Sequence, residues 1–586
     1  MPPAQLLGSL SSLSPWLSAS ELRIGLGCMR LSTDDARDEE LALETIRAAR
    51  EAGITVFDTA RSYGLGADDL GHNERLLARA LRGATARVVT KGGMSRTGGG
   101  WIPDGRAKAI RADCEASLAA LDGLPIDLYL IHAPDPRTPW RTSVRALARL
   151  VDAGLVERGG LSNVNRSQLD EALELAPISA VQVAVSPYDD RALRGGVVER
   201  CTELDIALIA HSPLGGPRRA GRLDRNPALA GVAEARGATA AEIALAWLLA
   251  LSPVVVPIPG ARRPETARSA AHAATLALEA DDREVLDQAF GAPRPARRPR
   301  RKDADVVLVM GIPGAGKARV AQEHVARGYL RLNRDERGGT LRELAGALDD
   351  ALASGTRLVV LDNTYLTRAT RSHVIETASR NGAPTRCIWL DTPLAQAQVN
   401  LVQRLLERFG SLPSPDELRE RARREPDMLA PTSQMRAQRE LEPPSEDEGF
   451  AGIERMTFER EPAARGERAG VFVAAAALRE PRWEDALAEV DRSAPHLIFD
   501  WKPEGTPDAL ADLAARLERD VSGAVETAIC PHGGGPPSCW CRPPLPGLPL
   551  AFARGHRVDP SRSVLIGTSP AHRTLATTLG ARFVPV

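Results

Sequence analysis

Net charge is the first thing this 586-residue chain lacks: 75 Lys+Arg against 76 Asp+Glu leave -1. Such balance gives the whole chain no pull toward nucleic acid or membrane and leaves room only for a local basic groove. Long apolar runs are missing too. The longest uncharged one, Ile243–Ala261, is cut by three prolines, so it reads as a buried helix followed by a buried strand and not as a membrane span. Residues 1–20 are rich in Ser, Leu and Pro without a basic start, so no secretory leader is expected. Cysteine is sparse and odd in number, at seven. Cys28, Cys114, Cys201 and Cys387 are scattered and read as small buried hydrophobes, while Cys530, Cys539 and Cys541 cluster. That pattern disfavours disulfides and fits a reducing cytoplasm with one metal site. What is present, 43% hydrophobic and 26% charged residues, excludes wholesale disorder.

The length calls for about three or four domains at roughly 100–200 residues each, or fewer if one is a large barrel. A Pro/Arg-rich linker at 291–304 and a polar stretch from Pro443 onward mark the divisions. They suggest an N-terminal extension (1–20), a first domain (21–290), a second (305–452) and a third (453–586). All three read as α/β. In the first, strands are expected at Arg23–Cys28, Thr55–Ala60, Val88–Gly93, Leu128–Ala133, Gly159–Val164, Ala180–Val185, Ala207–Ser212 and Val254–Gly260. Amphipathic helical stretches lie between them. Eight near-continuous apolar strands separated by helices predict a closed (β/α)8 TIM barrel, whose chemistry belongs at the C-terminal strand ends.

Polar residues stand at those ends. Asp58 and Tyr63 lie in FDTARSY, Lys91 ends the third strand and His132 the fourth. An ammonium held by a carboxylate favours a phenolate and eases release of the phenol proton, and an imidazole can orient a carbonyl oxygen. The set suits protonation of a carbonyl as hydride reaches its carbon. The segments GITVFDTARSYG, GHNERLLARAL, VVTKGG, DLYLIHAPDP, LSNVNRSQL, AVQVAVSPYD, HSPLG and PIPGARRPE resemble the aldo-keto reductase family. The resemblance implies Asp58, Tyr63, Lys91 and His132 as a catalytic tetrad with Tyr63 as proton donor. It also implies NADP(H) held by Ser162, Asn163, Gln182, His211, Ser212, Leu214 and Gly260, and an aldehyde or ketone substrate. His211 replaces the aromatic that usually stacks on the nicotinamide. The usual lysine-serine pair of the cofactor-tail segment is missing, but Arg262, Arg263 and Arg268 favour a 2'-phosphate and hence NADPH.

The second domain opens with DVVLVMGIPGAGKARVAQEHV, in which Gly311, Gly316 and Lys317 fit G-x-x-x-x-G-K between a strand and a helix. Glycines let backbone N–H groups converge on phosphate, and the lysine adds charge. The Ser or Thr that should follow and hold Mg²⁺ is Ala318. A pseudo-kinase, a variant with weakened metal binding and an engineered substitution remain open. The P-loop, the segment around Asn333–Asp335 and the segment Asp362–Thr364 resemble polynucleotide 5'-kinases over about Asp303–Phe409. The resemblance implies ATP and Mg²⁺ at Gly311, Gly314, Ala315, Gly316, Lys317 and Ala318. Asp335 would be the base on a 5'-OH nucleic acid acceptor, Asp362, Asn363 and Thr364 would line the acceptor groove, and Arg404 would sit in a lid. Other P-loop kinases share parts of this pattern.

In the third domain, CPHGGGPPSCWC offers Cys530, His532, Cys539 and Cys541, four N/S ligands for a tetrahedral Zn²⁺, with a reactive-thiol loop as the alternative. This loop and the closing segment VDPSRSVLIGTSPAHRTLATTLGARFV resemble haloacid-dehalogenase (HAD)-type phosphatases, implying a HAD-like Rossmannoid domain. Its Asp nucleophile is absent: Ala474, Ala475, Ala476 and Ala477 follow the first strand, Pro543 stands for the lysine, and Thr568 or His572 for the last acid. The domain is therefore expected to be inactive. Together the three suggest a cytoplasmic reductase and polynucleotide kinase in nucleic-acid end repair. A metabolic reductase-kinase fusion or a nucleotide sensor with an inactive kinase is the alternative.

Overall fold

The structure, a computed structural model, describes residues 16–97, 100–291, 303–421, 425, 428–457, 468–535 and 537–586. Most of the expected extension and of the linker lies outside the described residues. The chain divides into two compact units, Met1–Arg294 and Pro295–Val586.

The first unit is a barrel of eight parallel strands in sequential order. They are β1 (Gly25–Gly27), β2 (Val56–Asp58), β3 (Arg87–Gly92), β4 (Leu128–Ile131), β5 (Arg158–Ser162), β6 (Ala180–Ala184), β7 (Ala207–His211) and β8 (Val255–Ile258). The Gly27 N–H donates to the Pro259 carbonyl at 3.0 Å, bringing the first strand to the last. Val56, Val89, Leu128, Leu130, Ala180, Ile209, Val256 and Ile258 fill the interior as one cluster, a packed plug and not a pore. A hairpin of Met94–Thr97 and Gly100–Pro103, absent from the expected strand set, follows β3.

The second unit holds two five-stranded parallel sheets. One runs β10-β11-β9-β12-β13, with β9 (Asp305–Met310), β10 (Leu330–Leu332), β11 (Leu358–Asp362), β12 (Thr385–Asp391) and β13 (Gly452–Thr457). The other runs β16-β15-β14-β17-β18, with β14 (Val471–Ala474), β15 (His496–Trp501), β16 (Val525–Cys530), β17 (Val564–Gly567) and β18 (Arg582–Pro585). The boundary expected near residue 452 needs correction. Residues Gly452–Thr457 pair with β12 from Arg386 to Asp391, so they complete the P-loop sheet and do not open the next one. Nor are the two sheets separate globules. Leu401, Leu405 and Leu406 of the helix Leu394–Phe409 share one core with Phe472, Leu497, Phe499 and Leu575.

A buried cation ties the tail of the first of these sheets in place. The Arg371 guanidinium donates to both carboxylate oxygens of Glu448, at 2.7 and 2.6 Å, and to the Glu442 carbonyl at 2.9 Å. Both side chains are buried, at 0% and 2% exposed. Removing one partner of such a pair strands the other charge without solvent. Glu448→Ala should therefore lower the stability of the second unit by about 3–5 kcal/mol, read as a shifted urea transition, while Glu448→Gln costs less.

Candidate functional site

Period-two alternation decides which side chains reach the barrel mouth. Along successive strands an interior residue is followed two positions later by a polar one: Val56 then Asp58, Val89 then Lys91, Leu130 then His132, Ala180 then Gln182, Ile209 then His211. The parallel register sets these ends beside one another, with Asp58 opposite Val89, Lys91 opposite Leu130 and Ser162 opposite Gln182.

Lys91 is the hub. Its Nζ donates to both Asp58 oxygens at 2.8 Å, to the Thr59 carbonyl at 2.8 Å and to Tyr63 Oη at 3.2 Å. Gln182 Nε2 donates to Asp58 Oδ2 at 2.7 Å, so the carboxylate is held from two sides. Burial opposes the Lys91 ammonium, but Asp58 and Tyr63 more than offset it and its pKa stands above the ordinary value. As expected, the Lys91 ammonium pulls the Tyr63 pKa down, but it is not the largest influence on the phenol. Burial of the phenol outweighs the ammonium, and the net shift is upward. The His132 ring stands edge-on to Tyr63 with centroids 5.8 Å apart. Burial first, and the Lys91 charge second, hold His132 well below the ordinary imidazole value, so it is a neutral hydrogen-bonding group.

Asp58, Tyr63 and His132 open into a cavity of about 310 Å³, which Ser162, Asn163, Gln182, His211, Ser212, Leu214 and Gly260 also line, while Lys91 lies buried behind them. Asn163 is itself positioned: its Nδ2 donates to the His132 carbonyl at 3.0 Å, and His211 Nε2 lies 3.1 Å from its Oδ1. Burial brings His211 down to about 4. A nicotinamide dinucleotide fits this donor set. Arg263 and Arg268 are exposed around the N-terminus of the helix Pro264–Ala273, where a phosphate would lie. Arg262 is already ion-paired with Asp34 at 3.0 Å, so its charge is shared. The sequence reading missed Trp101. The extra hairpin carries it to the cavity wall, 5.8 Å from the Tyr63 ring and 6.0 Å from His132, with the Arg96 guanidinium 4.2 Å over its face. Its only sequence signal is the glycine triplet 98–100 between two short runs.

In the second unit, β9 delivers the loop Gly311–Gly316 to the helix Lys317–Val325. Gly314 takes φ +87°, and a Cβ there would collide with the Ala397 carbonyl. Lys317 Nζ donates to the Gly311 and Ile312 carbonyls, both at 2.9 Å. Burial lowers its pKa to about 8, with Arg404 adding to the fall while Asp362 and Asp335 resist it. Lys317, Asp335, Asp362 and Arg404 thus share one electrostatic neighbourhood. Arg404 stands exposed in mid-helix, and Asp335 lies 3.2 Å from Arg334 Nη2. Asp362, expected along the acceptor groove, is gripped by Arg331 at 3.0 and 2.7 Å and by Asn333. Mg²⁺ does not fit this donor set. Ala318 offers no side-chain oxygen, and both Asp362 oxygens are engaged.

The ligand atoms of Cys530, His532, Cys539 and Cys541 all lie within 4.8 Å of one another. Cys541 Sγ is 3.3 Å from Cys530 Sγ and 3.1 Å from His532 Nδ1, and Cys530 and Cys539 sulfurs are 3.6 Å apart. A tetrahedron with bonds of about 2.0–2.3 Å has edges of about 3.3–3.8 Å, so Zn²⁺ fits this set.

A profile of the aldo/keto reductase family matches residues 23–290, and one described as an AAA domain matches 306–441. A probable aldo-keto reductase 1 of Glycine max is 34% identical over 273 residues, covering 41% of this chain and 76% of the relative. An uncharacterized oxidoreductase of Schizosaccharomyces pombe is 31% identical over 274 residues, covering 45% and 86%. Among solved structures, an aldo-keto reductase from Klebsiella pneumoniae in complex with NADPH is similar at 26% identity and a TM-score of 0.40, over 46% of this chain and 92% of that one.

Proposed function

The chain belongs to the aldo/keto reductase family, and from that premise we propose that its first unit reduces aldehydes or ketones with NADPH. The observation that carries the reading is the Lys91 ammonium, bonded at once to Asp58 and to the Tyr63 hydroxyl at the floor of the cavity. A nicotinamide bound there supplies the hydride that the carbonyl carbon accepts. Tyr63 and His132 meet the carbonyl oxygen, and the neutral imidazole orients it. Tyr63 gives its proton to that oxygen as negative charge develops there, Lys91 stabilises the phenolate left behind, and solvent returns the proton. A phenol raised by burial keeps its proton until the developing alkoxide takes it. Arg263 and Arg268 support the choice of a 2'-phosphorylated cofactor. Tyr63→Phe should lower NADPH-dependent aldehyde turnover by about 10²–10⁴-fold with NADPH binding, followed by its fluorescence, intact. Wild-type turnover in that variant would overturn the assignment.

For the second unit we propose a P-loop kinase that passes the ATP γ-phosphoryl group to a 5'-hydroxyl of DNA or RNA. The meeting of Lys317, Asp335 and Arg404 supports it, with Asp335 as the base that takes the hydroxyl proton. With the reductase, this suits repair of nucleic-acid ends. Label from ATP should reach 5'-hydroxyl oligonucleotides, and Asp335→Ala should stop it. Label reaching only a small sugar would favour a metabolic kinase, and an inert protein that still binds ATP would favour a sensor.

We read the last sheet as a phosphatase-like scaffold without a nucleophile, since the largely buried run from Ala474 to Ala477 offers no carboxylate. Its loop would hold zinc through Cys530, His532, Cys539 and Cys541. That loop packs against Leu412, and Trp540 Nε1 donates to the Leu429 carbonyl at 2.9 Å. The ion would therefore staple this sheet to the loops between the helices that follow the P-loop sheet. Elemental analysis should find about one zinc per chain, lost in Cys539→Ser/Cys541→Ser together with part of the thermal stability. Zinc unchanged in that variant would reject the site.

A further inference from the structure

P-loops that bind nucleotide with Mg²⁺ use two protein oxygens: a hydroxyl one residue after the lysine, and a carboxylate at the end of the neighbouring strand. Both are missing here for different reasons. The residue after Lys317 is Ala318, exposed in the first turn of the helix Lys317–Val325. The strand-end carboxylate is Asp362, whose register partner is Val309 on the strand that leads into the loop. It is 3% exposed, and both its oxygens lie in the Arg331 fork. Asn333 Nδ2 adds a third hydrogen bond to Oδ1 at 3.0 Å. Asp335 is the carboxylate left in the neighbourhood, and it pairs with Arg334 at 3.2 Å. A small cation that demands an octahedron of oxygens finds little protein oxygen at this loop.

Positive charge is what the loop does offer. Lys317 is folded onto the Gly311 and Ile312 carbonyls, and the charge of Arg404 reaches it. The first N–H groups of the helix point at the same space. A half-buried ammonium within reach of a second cation favours an anion at this loop without a protein-held metal.

We propose that this P-loop takes the triphosphate of a nucleotide as the metal-free anion, with Lys317 and the helix N–H groups supplying the positive charge that Mg²⁺ supplies in related loops. The inference rests on the reading of the loop as a nucleotide site. The native arginine grip on Asp362 belongs to the same device, because it keeps a carboxylate from repelling the phosphates.

The test is calorimetric titration of the full-length protein with ATP, once in millimolar Mg²⁺ and once in EDTA. Lys317→Ala, which should lose ATP binding in both buffers, assigns the heat to this loop. The two wild-type affinities should agree within about threefold, and Ala318→Ser, a substitution at an exposed position, should bind about tenfold tighter in Mg²⁺ than in EDTA. Wild-type binding at least about tenfold tighter in Mg²⁺ would overturn the metal-free site while leaving the nucleotide reading intact. An Ala318→Ser protein indifferent to Mg²⁺ would overturn the assignment of the loss to that position. No ATP binding in either buffer would remove the nucleotide reading, and the inference with it.

Discussion

A lysine with no exposed side-chain surface must be neutralised on the spot, and much of the barrel mouth follows from that constraint. The Lys91 ammonium cannot reach water, so it is met by the Asp58 carboxylate, the Thr59 carbonyl and the Tyr63 hydroxyl. Asp58 in turn is too buried to stand on one partner, and Gln182 from across the barrel completes it. Four side chains from β2, the loop after it, β3 and β6 are locked by one charge. The rigidity is useful chemically: an ammonium fixed beside the phenol costs no reorganisation when the phenolate forms.

Those side chains were legible in the sequence because a parallel barrel strand obeys a simple rule. Two residues beyond an inward-facing aliphatic is another inward-facing position, and at the C-terminal end it faces the cavity. Asp58, His132, Gln182 and His211 follow it, and Lys91 follows the same spacing but stays buried behind Asp58 and Tyr63. What escaped notice obeys no such rule. Trp101 arrives on a hairpin inserted after β3, where the reading had ended the strand at Gly93. The Arg262–Asp34 pair joins residues far apart in the chain. The Tyr63 shift was misjudged because residue types give the partner, Lys91, but not the burial that outweighs it.

The second unit was read well where a loop carries its own geometry and poorly where long-range pairing decides. Gly311, Gly314 and Gly316 take positive φ values that announce a phosphate cradle. By contrast, GIERMT after a polar stretch reads as the start of a new domain, and only its register with β12 makes it the edge of the old one. The Arg371–Glu448 pair, spanning 77 residues, holds the intervening tail so that this edge strand can form.

Two carboxylates near strand ends of this unit share a fate. At the end of β11, Asp362 is gripped by Arg331; near the end of β15, Asp500 meets Arg479 at 3.2 Å. The position after the P-loop lysine carries Ala318, and the first strand of the last sheet runs into the alanines from Ala474 to Ala477, so neither place offers a side-chain oxygen. Among the described residues, the grouping whose ligand atoms converge is instead the Cys/His loop. Thiolate and imidazole select soft or borderline ions and leave Mg²⁺ aside. Arginine pairing and alanine substitution therefore act in the same direction. Both leave these loops with few side-chain oxygens for a hard cation, while the sheets keep their packing and the Cys/His loop keeps its converging ligand atoms.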